Sequence, residues 1–182
     1  MSPDLPDHYR SALRTLLRYA AVMTIVGLLS GVLYRESAKK LDLAEIGVAL
    51  HLEARIHLAL VHGHMLTTGV LIPIAMGAAL FLARAAGGAD LQRTPLRWLT
   101  RGYLPLVTVA LGLMLYKAYH VLLSVRWGQH DLVQIDEAYF GGIQGLRHGI
   151  YGLTHTGMAV SLGIFMVAIF RSLKTADAAT RS

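Results

Sequence analysis

Residues 56–83, IHLALVHGHMLTTGVLIPIAMGAALFLA, run without a single lysine, arginine, aspartate or glutamate. About 20 residues rising 1.5 Å each cross the roughly 30 Å hydrocarbon core of a bilayer, so this stretch is long enough to span one as a helix. It also carries His57, His62 and His64. Ionisable groups inside hydrocarbon are costly and mark functional sites by default.

Working outward, three more apolar runs appear, at 19–34, 102–125 (interrupted by Lys117) and 148–170. Hydrophobic residues make up 54% of the 182 residues and charged residues 15%, with mean hydropathy +0.50, which is too apolar for one soluble domain of this size. The expected architecture is all-α, an integral membrane four-helix bundle with helices near 15–35, 56–84, 102–125 and 148–171, connected up-down-up-down in one domain over 1–182. The first run lies between Arg18 and Arg35 and spans if both arginines snorkel or if Leu16 and Leu17 join it. Arg10, Arg14 and Arg18 before that run also suit a signal peptide. No small-x-small cleavage site follows, Asp4 and Asp7 precede it, and Gly27 and Gly31 have the spacing of packed membrane helices, so a retained helix is expected. No internal repeat or low-complexity segment appears, and only the stretch from Leu173 reads as a polar tail.

Orientation follows from the cations. Arg10, Arg14, Arg18, Arg84, Arg93, Arg97, Arg101, Arg171, Lys174 and Arg181 fall on one side; Arg35, Lys39, Lys40, Arg55, Arg126 and Arg147 fall on the other, with most of the acids. The positive-inside bias places both termini in the cytoplasm and the histidine-rich ends outside. It also accounts for the net charge of +6 and pI near 9.8, so no nucleic-acid partner is expected. Absence of cysteine removes disulfides, thiolate metal sites and covalent haem attachment through cysteine.

With alternating helices, His57, His62, His64, Lys117, His120, His148 and His155 converge on one side of the bilayer. Residues two apart on a helix point about 200° apart and residues seven apart share a face. His57 thus shares a face with His64, and His148 with His155, while His62 points away. His64 and His155 each lie about two turns inside the outer boundary, at a common depth for one cofactor plane, and imidazoles on facing bundle helices hold haem iron axially. Gly63 and Gly69, and Gly149, Gly152 and Gly157, flank these histidines and allow a flat macrocycle near the backbone; glycine equally serves helix packing. Arg35, Arg55, Arg126 and Arg147 at the outer rim suit haem propionates, and also suit plain interfacial anchoring. Lys117 snorkels outward from about two turns deep, His120 has Tyr116 one turn away as a hydrogen-bond partner, and His62 faces another helix to bond His120 or Lys117. His57 and His148 sit near the interface, and His8, His51 and His130 are in loops.

The helix VHGHMLTTGVLIPIAMG resembles the haem-ligating His-x-His helix of haem-copper oxidase subunit I, in which two histidines on opposite faces hold two haems and a glycine follows. On that resemblance His64 takes the place of the low-spin haem ligand and His62 that of the high-spin one. Over nearly the whole chain, GVLYRES, LALVHGHMLTTG and GLTHTGM resemble a small bacterial four-helix membrane family of unknown function, which implies a bacterial cytoplasmic (inner) membrane. No second paired-histidine motif for a copper centre is present, so oxygen reduction by this chain alone is not expected. Three classes of function remain. The first is a haem-b protein for electron transfer or haem handling, with a respiratory-chain or quinone partner. The second is a copper or zinc site or transporter using His62, His64, His120 and His155, with Met65, Met114 and Met158 as soft ligands. The third is a non-catalytic accessory subunit of a respiratory oxidase. A homo-oligomer is compatible with each.

Overall fold

The computed structural model describes residues 5–180, with side chains described through Lys174; Asp4 and Arg181 lie outside the described residues. Five helices occur among them: α1 (Asp7–Ala38), α2 (Leu43–Ala85), α3 (Arg93–Arg126), the short α4 (Leu132–Ala138) and α5 (Gln144–Thr180). The four long ones are each long and apolar enough to cross a membrane. All four begin or end beyond their apolar runs, because the flanking polar residues continue the helix. Asp42 caps α2 by accepting the Ala44 amide at 2.9 Å, and Asp131 caps α4 by accepting the Val133 amide at 2.9 Å. The segment 43–55, whose charges read as a loop, is therefore helical, with one break at Gly47, where φ of +77° requires glycine.

Two π turns interrupt the spans, at Thr67–Leu71 in α2 and Trp98–Tyr103 in α3. Each lies just before a proline, Pro73 and Pro105, whose ring displaces the carbonyl four residues earlier and whose nitrogen cannot donate. The Thr68 carbonyl, five residues before Pro73, accepts the Tyr103 hydroxyl at 3.4 Å, so one π turn is tied to the other.

Packing registers fix the directions. A Cβ on Gly27 would meet Leu66 at 3.0 Å, one on Gly31 would meet His62 at 2.9 Å, and one on Gly69 would meet Met23 at 3.0 Å, so α1 and α2 are antiparallel and close. The expected small-residue spacing at Gly27 and Gly31 is what admits α2. Antiparallel α3 and α5 meet where a Cβ on Gly157 would touch Leu106 at 2.6 Å and where the Leu113 carbonyl faces the Tyr151 hydroxyl at 3.2 Å. α1 and α3 run parallel, joined by Tyr19 and Thr108 hydroxyls 3.0 Å apart. The result is a central α2/α3 pair with α1 and α5 on opposite flanks, α1 and α5 scarcely touching, rather than a closed ring of four. Much apolar surface stays exposed, including Leu153 at 74% and Leu82 at 64%, which suits hydrocarbon and not water.

Candidate functional site at the histidine-rich end

α2 and α5 close on each other at the arginine-rich end, where the Ala89 amide donates to the Ser172 carbonyl at 3.3 Å. At the opposite end residues 43–66 of α2 and the helix α5 scarcely touch, so no direct packing joins the segments that carry His64 and His155. Both side chains are exposed and each makes the same local bond. His64 Nδ1 is 2.8 Å from the Leu60 carbonyl, and His155 Nδ1 is 2.8 Å from the Tyr151 carbonyl, each four residues earlier on its own helix. A carbonyl only accepts, so Nδ1 carries a proton and donates it, which turns Nε2 away from that bond. The Tyr151 and His155 rings stack, 6.1 Å apart at 17°.

The remaining histidines are used differently. His62 faces α1, where its Nδ1 meets the Gly27 carbonyl at 2.8 Å and Ser30 Oγ at 3.5 Å. The expected bond to His120 or Lys117 does not form, because those residues lie on α3, on the other side of α2. His120 Nε2 is 2.8 Å from the Ile135 carbonyl of α4, with its ring 5.4 Å from that of Tyr139, so α4 and not Tyr116 satisfies it. His57 Nε2 reaches Glu53 at 3.2 Å within α2. Among the described residues no three histidines or carboxylates gather into a group able to hold a metal ion. His62, His64, His120 and His155 thus do not assemble the expected copper or zinc site.

The glycines divide the same way. Gly69 and Gly157 are filled by Met23 and Leu106, which makes them packing residues. Gly63, Gly149 and Gly152 would place a Cβ in open space, so helix packing within the chain does not account for them.

A polar cluster that no sequence motif marks caps this end. Asp136 of α4 binds Arg147 through two oxygens, at 2.6 and 3.0 Å, and Lys117 at 3.5 Å. The Arg147 hydrogen bonds, with the Lys117 charge behind them, hold the Asp136 carboxyl below the usual carboxylate range. Tyr139 is buried with its hydroxyl 2.9 Å from that of Tyr151 and 3.1 Å from the Leu113 carbonyl, and burial first, then the Tyr151 bond, pushes its phenol well above the ordinary value. With one proton each, one phenol donates to Leu113 and the other to its neighbour.

Among the cations expected at the rim, Arg147 is thus already held by Asp136. Arg55 lies over the Tyr34 ring at 5.8 Å, on the α1 side, with its buried Nε lacking a hydrogen-bond partner. Arg35 and Arg126 are exposed.

Comparison with known proteins gives no match to a family model, a curated protein or a solved structure.

Proposed function

We propose that the chain spans a bacterial cytoplasmic membrane four times, with both termini in the cytoplasm, and holds one haem b between His64 and His155 near the outer face, for electron transfer or haem handling. The observation that carries this reading is the shared geometry of these two histidines. Each lies deep in an apolar helix, donates from Nδ1 to the carbonyl four residues back, and leaves Nε2 without a partner among the described residues, on helix segments that scarcely touch each other. Metal-ligating histidines are oriented by such a bond from the second nitrogen, and hydrocarbon offers no other reason to expose two imidazoles. The donor set would fit an iron porphyrin, since the His64 and His155 imidazoles would serve as ligands to the iron and the open backbone at Gly149 and Gly152 leaves room beside α5.

When bound, the group supplies a one-electron iron couple whose potential the ligands and burial set. The chain's own residues do the rest. The Leu60 and Tyr151 carbonyls fix tautomer and ring direction, and the Tyr139–Tyr151 pair pins α5 to α3 beside the Asp136 cap. His62 serves the α1–α2 contact, so the two-haem arrangement implied by the oxidase resemblance is reduced to one site. An absorption spectrum of the detergent-purified protein, with iron, copper and zinc analysis, tests the proposal. Haem with iron is expected, lost in His64→Ala and in His155→Ala and kept in His148→Ala. Full haem occupancy in the His64→Ala, His155→Ala double variant, or zinc in place of haem, would overturn it.

A further inference from the structure

The opposite end carries two matched arginine ladders. Arg10, Arg14 and Arg18 recur every four residues at the start of α1, and Arg93, Arg97 and Arg101 do the same at the start of α3, so each set lies along one side of its helix. The two helices run parallel here, and His8 Nε2 of α1 lies 2.9 Å from the carbonyl of Leu91, just before α3. All six are exposed. A groove of about 320 Å³ is lined by Ser11, Thr15, Thr100 and the α3 arginines, and Ser11 and Thr15 also line an adjoining hollow beside Arg10, Arg14 and Arg18, so the two ladders flank one strip of α1. Asp7 is the one acid among its lining residues, 3.6 Å from Arg10 and itself 92% exposed, too solvated to neutralise the ladders.

Higher on the same face of α1, Val22, Ile25 and Leu29 follow Arg18 at helical spacing and are 58%, 62% and 57% exposed. One strip is therefore cationic at its base and apolar above, the complement of an amphiphile with an anionic head. We propose that this groove binds an acidic phospholipid of the adjacent leaflet, its phosphodiester held by guanidinium groups from both helices and its acyl chains lying on Val22, Ile25 and Leu29. Guanidinium pairs phosphate oxygens in a two-pronged geometry that a lone anchoring charge does not require. Topogenic arginines need only the correct side of the membrane and no shared hollow between two helices. The proposal goes beyond the haem reading and requires only that the chain inserts in a bilayer.

The test titrates delipidated, detergent-purified protein with phosphatidylglycerol, phosphatidylcholine or inorganic phosphate, following thermal stability, and extracts the lipid retained on purification for mass spectrometry. Phosphatidylglycerol is expected to be retained and to raise the melting temperature, while phosphatidylcholine and phosphate leave it unchanged. The Arg14→Gln, Arg97→Gln double variant should lose about tenfold in apparent affinity through loss of charge-assisted bonds. Arg14→Lys, Arg97→Lys keeps the charge for insertion and should still lose several-fold because the two-pronged geometry is gone. Arg126→Gln at the other end should match the parent protein. Undiminished binding in the lysine variant, equal binding of phosphatidylcholine, or an equal shift with inorganic phosphate would each overturn a lipid headgroup site.

Discussion

Carbon monoxide distinguishes the roles of individual histidines, because it binds reduced haem iron only at an open axial position. With His64 and His155 both ligating, the reduced spectrum should not change on adding carbon monoxide, and His62→Ala should leave that unchanged, since His62 is turned to the Gly27 carbonyl. Loss of that bond should still cost about 1 kcal/mol of stability at the α1–α2 contact. A carbon monoxide shift abolished by His62→Ala would mean that His62 holds the iron. Asp136 offers a second residue-level measurement. Its carboxyl is held low by Arg147, so its contribution to stability is complete above the ordinary carboxylate value of about 4 and is lost as pH falls through the lower folded value. At 46% exposure the effect is screened and modest. A melting-temperature profile should therefore fall off below about pH 4, and Asp136→Asn should flatten that limb; an unchanged limb would remove Asp136 as its source.

At the scale of elements, the four apolar runs were legible in the sequence because hydrocarbon imposes one long uniform pattern on each span. Their ends were not, because 43–55 and 93–101 continue as helix among charges that carry no apolar signal. The π turns follow from Pro73 and Pro105, which the sequence displays, but the Thr68–Tyr103 tie between them is a tertiary contact. The site divides likewise. The turning away of His62 was readable from helical spacing, whereas the Asp136–Arg147–Lys117 cluster joins three elements that no local pattern connects. The glycines separate packing from ligand space and can be tested as such. Gly31→Leu would drive a side chain into His62 and should cost about 1–3 kcal/mol by overpacking. Gly152→Leu enters open space, so it should leave thermal stability close to the parent while lowering haem content. Equal stability losses in both would mean that Gly152 packs against something in the folded protein.

For the whole molecule, the arginine and histidine ends differ in chemistry in a way that a membrane turns into sidedness. The cations of one end gather at the starts of α1 and α3 and late in α2 and α5, at Arg84, Arg171 and Lys174, while α4 and the Asp136 cluster close the other. On the orientation proposed from the positive-inside bias, the arginine end and the proposed phospholipid groove would lie on the cytoplasmic side, and the His64–His155 region within reach of the outer face. A cysteine-free chain makes this directly measurable. Single cysteines at Lys40, in the α1–α2 turn, and at Gln134, exposed on α4, should react in intact cells with a membrane-impermeant thiol reagent. A cysteine at Ala89, exposed in the α2–α3 turn, should react only after the cells are permeabilised. Because α1 packs antiparallel to α2, and α3 antiparallel to α5, the three sites cannot invert independently: Ala89 labelled and Gln134 protected would turn the whole molecule over, moving the haem region to the cytoplasmic side and the arginine groove to the outer leaflet. Labelling of all three from outside would break the alternation itself, since Ala89 and Gln134 sit at opposite ends of α3 and one span must separate them.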